Sequence, residues 1–367
     1  MKGLYIHDVI HNDFSGVSKK IKGTLKAFRN NGFEIEEYIV ENKLLQANIF
    51  RKIWISLNIF ANANSFRGYP EISYKLDFVY IRKPVFDRNF NKFLKTLKSF
   101  YDLHIILEMP TYPYNHELSK SIKTLPFYFK EIFFSRFIRN YVDLIVSFTN
   151  LDYIFGINTI NIANGVDKSE INIIRHRSNG LNKIKMLSVN SLIRASNGYD
   201  RLIKGIAQSQ LNVQLTIIGE GKECDKLRKL SFEYGLENRI NFHVKLSTKE
   251  INKLYKSHHI CVGPLGIHRT NLSVASPLKT KEYLSKGLPV LKSYIESNIN
   301  DFGLFINVPG DDDPIDLDYV YSEYLKIKSK LAEINEEKLD FISWDYQLAP
   351  LFQHLEGNIN QIETIDN

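Results

Sequence analysis

One stretch, CVGPLGIHRTNLSVASPLKTKEYLSKGLPVLKS at residues 261–293, constrains the fold more than any other part of the chain. An apolar run, a polar loop, a helical segment and a second apolar run follow one another, which is the order of a parallel α/β sheet. Ser276 is predicted to cap the helix, with Pro277 at its first position. Gly287 is predicted to end the helix, and Leu288–Val290 to begin the next strand.

Three charged residues of this helix, Lys279, Glu282 and Lys286, follow one another at spacings of three and four and therefore share a face. From spacing alone, a surface helix with a solvated Lys–Glu pair is the more common explanation, because exposed ion pairs are frequent and weak. The alternative is an anion-binding edge, since ligands bind beyond the carboxyl ends of strands in open α/β sheets.

The string SPLKTKEYLSKGLPVL resembles the donor-site segment of glycosyltransferase family 4, whose members have the GT-B fold. The resemblance implies that Glu282 binds the ribose hydroxyls of a nucleotide-sugar. Lys279, a cation just inside the same helix, is predicted to stabilise the leaving diphosphate. The family has a second Glu eight positions before Glu282, where this chain has Val274. Four residues occupy the loop that is implied to contact the donor sugar and phosphates: His268, Arg269, Ser276 and Leu278.

The first half of the chain shows the same alternation of apolar runs and helical patterns. Strand Leu4–His7 is predicted to precede a helix that begins near Gly16. Gly16 is either a plain turn glycine or a donor-binding glycine that lets the backbone approach a ligand. Glu108, read as the first residue after a strand over Leu103–Leu107, is predicted to be a catalytic acid or base. Glu117 is predicted to be solvated.

A domain boundary is predicted at ANGVD, residues 163–167, because this string resembles the one that ends the N-terminal domain in the family. The resemblance implies an α/β protein of the GT-B type, with two doubly wound, Rossmann-like domains that face each other across a cleft. The predicted acceptor-binding domain is 1–165, with a terminal helix at 345–367 that crosses back to it. The predicted nucleotide-sugar-binding domain is 166–344.

The second domain departs from the family at one phosphate loop. Asn190–Ser191 stand where the family has Gly-Arg, so Arg194 is predicted to replace the missing cation. Gly219 and Gly221, in the string GEG, are predicted to let the backbone approach the donor. Val244 lies where the family holds the nucleotide base with backbone groups.

Composition excludes several classes of function. The 367 residues include 48 Lys and Arg against 41 Asp and Glu, so the net charge of +7 suits an anionic partner. Nucleic-acid binding is disfavoured because the basic residues are sparse and no RNA- or DNA-binding motif is present. The two cysteines favour a reduced cytoplasm and core positions. The histidines are scattered and no C-x-x-C occurs, so neither a metal site nor a cofactor is predicted.

The segment TLPFYFKEIFFSRFIRNY, at residues 124–141, mixes aromatic and basic side chains. A helix at an anionic membrane surface and a core helix with solvated charges explain the part from Phe127 to Arg139 about equally well. No apolar run approaches the roughly 20 residues that a spanning helix needs. The sequence therefore predicts a cytoplasmic protein that can also lie on the inner face of the cell membrane.

These observations lead to one functional prediction and two alternatives. The prediction is a retaining, metal-independent glycosyltransferase that moves a sugar from a UDP- or GDP-linked donor to a saccharide acceptor. The expected acceptor is lipid-linked, for example to polyprenyl diphosphate, in the synthesis of a bacterial surface polysaccharide. The first alternative is a non-catalytic GT-B partner subunit, and the second is a GT-B enzyme that epimerises sugars or cleaves phosphate esters. The predicted catalytic residues are Glu108, Arg194, Lys279 and Glu282.

Overall fold

A computed structural model divides the chain into two compact units, Met1–Ile162 with Gln347–Asn367, and Ala163–Tyr346. The structure describes residues 1–11, 16–43, 47–48, 50–51, 54–55, 58, 61, 64–65, 76–101, 103–113, 125–175, 183–299 and 302–363. Most of the segment Leu44–Ala63, read from its sequence as an amphipathic helix, lies outside these residues, as does Glu117.

The first unit is built on a mainly parallel sheet with the strand order β2-β1-β5-β6-β7-β9-β8. Only β8 pairs antiparallel within the described part of this sheet. A separate antiparallel pair joins β3 to β4. The strands are β1 (Lys2–His7), β2 (Glu34–Ile39), β3 (Glu41–Asn42), β4 (Asn64–Ser65), β5 (Phe78–Arg82), β6 (His104–Met109), β7 (Leu144–Ser147), β8 (Tyr153–Ile154) and β9 (Ile157–Asn161).

The helices of the first unit follow from the apolar spacing that the sequence shows. They are α1 (Gly16–Asn30), α2 (Arg88–Tyr101) and α3 (Leu125–Ile138). Phe90, Phe93 and Leu97 lie at helical spacing on α2, and all three are buried against the sheet core. At the C-terminal end of the chain, Phe352 packs edge-to-face against Phe28 at a ring distance of 5.0 Å, which joins the last helix to this core.

The second unit contains an all-parallel sheet with the strand order β12-β11-β10-β13-β15-β17. Its members are β10 (Ile184–Leu192), β11 (Val213–Glu220), β12 (Ile240–His243), β13 (Ile260–Val262), β15 (Val290–Lys292) and β17 (Phe305–Asn307). A short parallel pair, β14 (Val274–Ala275) with β16 (Ile295–Glu296), lies beside it. The order changes direction at β10 and β13, and ligands bind at such switch points in open α/β sheets.

Helices of the second unit connect successive strands of this sheet, as in a doubly wound fold. They are α4 (Tyr199–Gln208), α5 (Lys222–Glu233), α6 (Thr248–Ser257), α7 (Leu278–Leu284), α8 (Leu317–Lys330) and the start of α9 (Trp344–Glu363). Both cysteines, Cys224 and Cys261, are buried free thiols in this core. Among the described residues, no helix is long and apolar enough to cross a membrane.

Three local predictions around α7 have different outcomes. Gly287 has a φ of +69° and its N–H donates to Leu284 O, so the predicted helix end is confirmed. The predicted cap is wrong, because Pro277 is the N-cap and no side chain caps the helix. The following strand begins at Val290 rather than Leu288.

Candidate active site

A cluster of polar side chains lies where β10 ends and α7 begins. Asn190 Oδ1 accepts hydrogen bonds from Lys279 Nζ at 2.7 Å and from the Tyr199 hydroxyl at 2.9 Å. The ammonium also donates to the Tyr199 oxygen at 3.0 Å. Ser188 Oγ hydrogen-bonds the same hydroxyl, and Asn190 Nδ2 donates to Ser188 Oγ at 3.2 Å. We call Ser188, Asn190, Tyr199 and Lys279 the Lys279 cluster.

In the part of the chain that the structure describes, no carboxylate forms an ion pair with Lys279, so the Lys279 cluster holds a cation whose charge is available. Both hydrogen-bond acceptors of Lys279 are neutral, and the side chain is half-buried. An ammonium has three donors, so the two contacts leave one for an incoming anion. A cation held in advance by neutral groups at a strand end is suited to a phosphate group.

The position of Asn190 follows from an irregularity in β10. The register of β10 against β11 shifts between Val189 and Leu192, which places Asn190 beside the shift. Asn190 Nδ2 donates to Ile218 O at 3.1 Å, so its amide is oriented with the oxygen toward Lys279. Asn190 stands at the Gly-Arg position of the family, so the sequence shows that a cation is missing there. It does not show that Asn190 binds Lys279.

Arg194 lies two residues beyond β10 with an exposed side chain. Its backbone N–H donates to Asn197 Oδ1 at 2.8 Å, and Asn197 is largely buried. The backbone of Arg194 is therefore anchored while the guanidinium group lies in solvent, where it is accessible to an anion. Arg194, the predicted substitute cation, follows Asn190 by four positions and lies just beyond the end of β10.

The two glycines of the string GEG pack against this loop. Gly219 and Gly221 have φ values of +144° and +125°, a region that favours glycine. A Cβ atom would come within 2.9 Å of Asn190 O at Gly219 and of Ile193 O at Gly221. The two glycines therefore pack closely against residues 190–193 of the same chain, which include Asn190 of the Lys279 cluster.

Helix α7 is only seven residues long, and Ser276 does not cap it. Ser276 Oγ instead accepts from the Asn164 N–H at 2.8 Å and from Lys281 Nζ at 2.8 Å. Lys281 is fully buried and pairs with Glu296. Ser276 thus ties the segment ANGVD to α7 and is not the donor contact that the resemblance implied.

Glu282 and Leu278 both lie on α7 and are half-buried. Glu282 follows Lys279 by three residues, so the two side chains lie on one face of the helix. This placement is compatible with a carboxylate that accepts from a ribose while Lys279 holds a phosphate. Val244, the residue directly after β12, is exposed, and so is Gly16, the first residue of α1.

Arg269 is committed to two carboxylates and not to an open phosphate site. Its Nη1 and Nη2 donate to the two oxygens of Asp200 at 2.8 Å each, and its Nε donates to Asp312 at 2.7 Å. The hydrogen bond to Asp200 raises the pKa of Arg269. His268 Nε2 lies 3.2 Å from the same Asp312 oxygen. The predicted roles of Arg269 and His268 are therefore replaced by a structural one: they join the loop after β13 to α4 and to the acidic segment Asp311–Asp313.

The prediction for Glu108 is corrected by the strand boundaries. Glu108 lies inside β6 and is fully buried. It accepts from the Tyr5 hydroxyl at 3.0 Å and pairs with Lys20 at 3.0 Å and with Arg82. Burial alone would raise the pKa of Glu108, but Lys20 and Arg82 lower it to about 2. A carboxylate without solvent access that stays ionised is unsuited to acid–base catalysis near neutral pH.

Comparison with known proteins was decisive for the second unit. Residues 171–296 match the family model described as glycosyl transferases group 1. The match lies entirely within the second unit. The matched residues include the whole Lys279 cluster, together with Arg194 and Glu282. No curated protein matches the chain.

Solved structures of low sequence identity share the fold of the chain. Sucrose-phosphate synthase from Thermosynechococcus elongatus is 14% identical over 97% of this chain and 99% of its own, with a TM-score of 0.65. The lipopolysaccharide outer core galactosyltransferase WaaB, in its apo form, is 15% identical over 98% and 99%, with a TM-score of 0.58. Anabaena HepE in complex with UDP is 14% identical over 96% and 100%, with a TM-score of 0.60. These likenesses confirm the predicted GT-B fold, and the family match supports the predicted glycosyltransferase.

Proposed function

We propose that the chain transfers a sugar from a nucleotide-sugar, UDP- or GDP-linked, to a saccharide acceptor with retention of anomeric configuration and without a metal ion. The observation that carries the proposal is the Lys279 cluster. It supplies a positioned, unneutralised cation at the switch point of a parallel sheet, inside the segment that matches the glycosyltransferase family. The complex of the similar HepE structure with UDP supports a nucleotide as ligand.

The reaction breaks the bond between the sugar and the diphosphate, and negative charge grows on the leaving nucleoside diphosphate. Groups that are already oriented toward this charge lower the barrier most, because they do not reorganise during the reaction. In the proposed mechanism Lys279 and Arg194 stabilise the diphosphate. Glu282 accepts hydrogen bonds from the ribose hydroxyls and orients the donor.

Isothermal titration with UDP, GDP and ADP tests whether the second unit binds a nucleotide at all. A screen of the corresponding nucleotide-sugars for hydrolysis or transfer then tests catalysis and identifies the sugar. Binding followed by turnover is expected. Binding of a nucleotide without turnover of any nucleotide-sugar would favour the non-catalytic partner subunit. The differences from the family motifs at Asn190 and Val274 are the sequence features that agree with this alternative. Absence of nucleotide binding would refute the donor-site assignment.

The acceptor side of the proposal rests on the surface of α3. Phe129, Phe133 and Phe137 are 60%, 44% and 41% exposed, and their spacing places them on one face of the helix. Arg136 and Arg139 are exposed close to this face. Aromatic side chains next to cations suit the headgroup region of an anionic membrane, and a lipid-linked saccharide is then the acceptor that the proposal favours.

Lys130 does not belong to this surface, contrary to the sequence-based interpretation. It is buried, and its ammonium donates to the carbonyl groups of Ile55, Asn58 and Ala61. Two exposed cations, at about 1 kcal/mol each near an anionic surface, give weak and reversible attachment. The attachment should therefore be lost at high salt.

Co-sedimentation with anionic and neutral vesicles at low and high salt tests the membrane surface. Binding to anionic vesicles at low salt is expected, and replacement of Arg136 and Arg139 with Glu should abolish it while donor hydrolysis remains. A matched control replaces two exposed cations of α5, Lys226 and Lys229, with Glu. Equal, negligible binding to both lipids would refute membrane attachment and would favour a soluble acceptor. Loss of donor hydrolysis in the Arg136 and Arg139 variant would show that α3 is needed for the fold instead.

A further inference from the structure

The first unit brings together two histidines and a carboxylate that the proposed sugar transfer does not use. His7 is the last residue of β1, His11 lies in the segment that follows, and Glu37 lies in the neighbouring strand β2. One ligand atom from each of the three lies within 4.8 Å of the others. Among the described residues this is the one such group of three. His11 and Glu37 are 26 positions apart, so the sequence, in which the histidines look scattered, does not show the group.

The potential ligand atoms of the three residues converge. His7 Nε2 lies 2.7 Å from Glu37 Oε1, and His11 Nε2 hydrogen-bonds the same oxygen. The two imidazole rings are packed edge-to-face with their centroids 5.6 Å apart. A carboxylate accepts only, so each ring presents an Nε2–H to Glu37. The Nε2 atoms of both imidazoles thus converge on Glu37 Oε1, as imidazole nitrogens converge on a cation that they share.

We propose that His7, His11 and Glu37 form a binding site for a first-row transition-metal dication of the zinc type. Two imidazoles and one carboxylate are a ligand set of zinc and of other borderline cations, whereas magnesium and calcium prefer oxygen ligands throughout. The His7 side chain is fully buried, while His11 and Glu37 are each 27% exposed. His7 therefore forms the buried side of the site. On the side of His11 and Glu37 the site is open to solvent, so a cation can enter there and water can complete its coordination.

Coordination requires each imidazole to carry its proton on Nδ1 instead of Nε2. In His11 this shift breaks no hydrogen bond at Nδ1, because the buried Nδ1 has no partner within the ranges that the structure describes. In His7, Nδ1 accepts from the Val9 N–H at 3.2 Å, so this long hydrogen bond must open. Three hydrogen bonds are lost, the one from Val9 to His7 and the two from the imidazoles to Glu37, and two metal–nitrogen bonds and one metal–oxygen bond are formed. The metal would tie the segment after β1 to β2 and thereby stabilise the first unit.

The site is tested with the full chain, free of any histidine tag and stripped with a chelator. Zinc chloride is titrated by calorimetry, cobalt(II) is added as a spectroscopic probe, and magnesium chloride serves as the negative ion. Binding of one zinc ion per chain, a visible cobalt band and a rise in Tm with zinc are expected. Because loss of an outer-shell partner already costs about 10- to 100-fold in metal affinity, His11→Ala and Glu37→Gln should each weaken zinc binding at least tenfold.

His243→Ala is the matched control, since His243 is an exposed histidine of the second unit, and it should bind zinc like the unaltered chain. Circular dichroism of the two site variants without metal checks that they fold. The proposal is overturned if zinc binds the unaltered chain no more tightly than the folded His11→Ala and Glu37→Gln variants, or if His243→Ala weakens binding equally. Absence of a cobalt band in the unaltered chain overturns it as well. Neither readout depends on sugar transfer, so failure here leaves the proposed glycosyltransferase function intact.

Discussion

Replacement of Lys279 by Met is the most direct test of the candidate active site. Met keeps most of the length of the side chain but removes the ammonium that Asn190 Oδ1 holds at 2.7 Å and the Tyr199 oxygen holds at 3.0 Å. Both partners stay hydrated or bond each other, since the Tyr199 hydroxyl already donates to Asn190 Oδ1 at 2.9 Å. The substitution should therefore leave the fold unchanged and remove only the charge.

The expected loss follows from the position of this charge. At an effective dielectric constant of 20, two unit charges about 4 Å apart interact with about 4 kcal/mol. Lys279 is half-buried, so solvent screening reduces this value. Removal of one preorganised donor from an oxyanion site costs about 2.7–4 kcal/mol in other enzymes. We expect about 3 kcal/mol, which corresponds to roughly a 100-fold fall in kcat at 1.36 kcal/mol per factor of ten.

The positioning residues should show smaller, dependent effects. Asn190→Ala and Tyr199→Phe each remove one acceptor that positions the Lys279 ammonium but leave its charge in place, so each should cost less than loss of the charge, about 0.5–1.5 kcal/mol, or roughly a two- to tenfold loss in kcat. In a Lys279→Met background the same two substitutions should have little further effect, because the group that they position is gone. Lys249→Met, at an exposed lysine of α6, is the matched control and should be silent.

Steady-state kinetics of transfer or donor hydrolysis, with binding of the nucleoside diphosphate measured separately, distinguishes the outcomes. A fall in kcat that exceeds the loss of nucleotide affinity supports transition-state stabilisation by Lys279. A rise in KM alone would make Lys279 a uniform binding contact. Full additivity of Asn190→Ala with Lys279→Met would refute the idea that Asn190 acts through the ammonium.

Three further predictions address other parts of the chain. Glu282→Ala should weaken UDP or GDP binding about 10- to 100-fold in calorimetry, because a charge-assisted hydrogen bond contributes about 1.5–3 kcal/mol; affinity equal to that of the unaltered chain would contradict the ribose assignment. Transfer should persist in EDTA, and a complete loss restored by magnesium or manganese would show that the diphosphate needs a metal. Burial lowers the pKa of Lys20 to about 7, against roughly 10.4 in an unfolded chain, so the unfolded state binds more protons between these values. The unfolding free energy should therefore rise from pH 7 to pH 10, and denaturant titrations should show a smaller rise for Lys20→Met; an unchanged slope would mean that Lys20 is not the group responsible.

The alternation of strands and helices was predictable because local signals carry it. The pattern Ile21, Leu25 and Phe28 indicates a helix, and these side chains are buried on one face of α1. Gly287 ends α7 because its φ of +69° is one that glycine adopts without strain. Signals of this kind depend on residues within one or two turns, so a single sequence contains them.

The site predictions failed where a side chain is paired with a distant residue. The sequence shows Glu108 near the end of an apolar run, but it does not show that Lys20 and Arg82 lie against it across the sheet. Arg269 has the spacing of a phosphate ligand, yet Asp200, 69 positions away, neutralises it. Charge and spacing identify candidates for anion binding, but whether a cation remains available depends on acids that only the fold brings near.

The second unit departs from the family pattern at two positions and keeps the Lys279 cluster as its proposed phosphate site. Asn190–Ser191 stand at the position of the family's Gly-Arg pair, so one cation is missing from the end of β10. In its place the Asn190 amide orients Lys279, and Arg194 returns a positive charge four positions later, just beyond β10. Val274, at the position of the missing Glu, lies in β14, whose backbone pairs with Ile295 of β16. The unit therefore has one carboxylate fewer than the family pattern, and we expect the Lys279 cluster to bind a doubly charged diphosphate in preference to a neutral sugar.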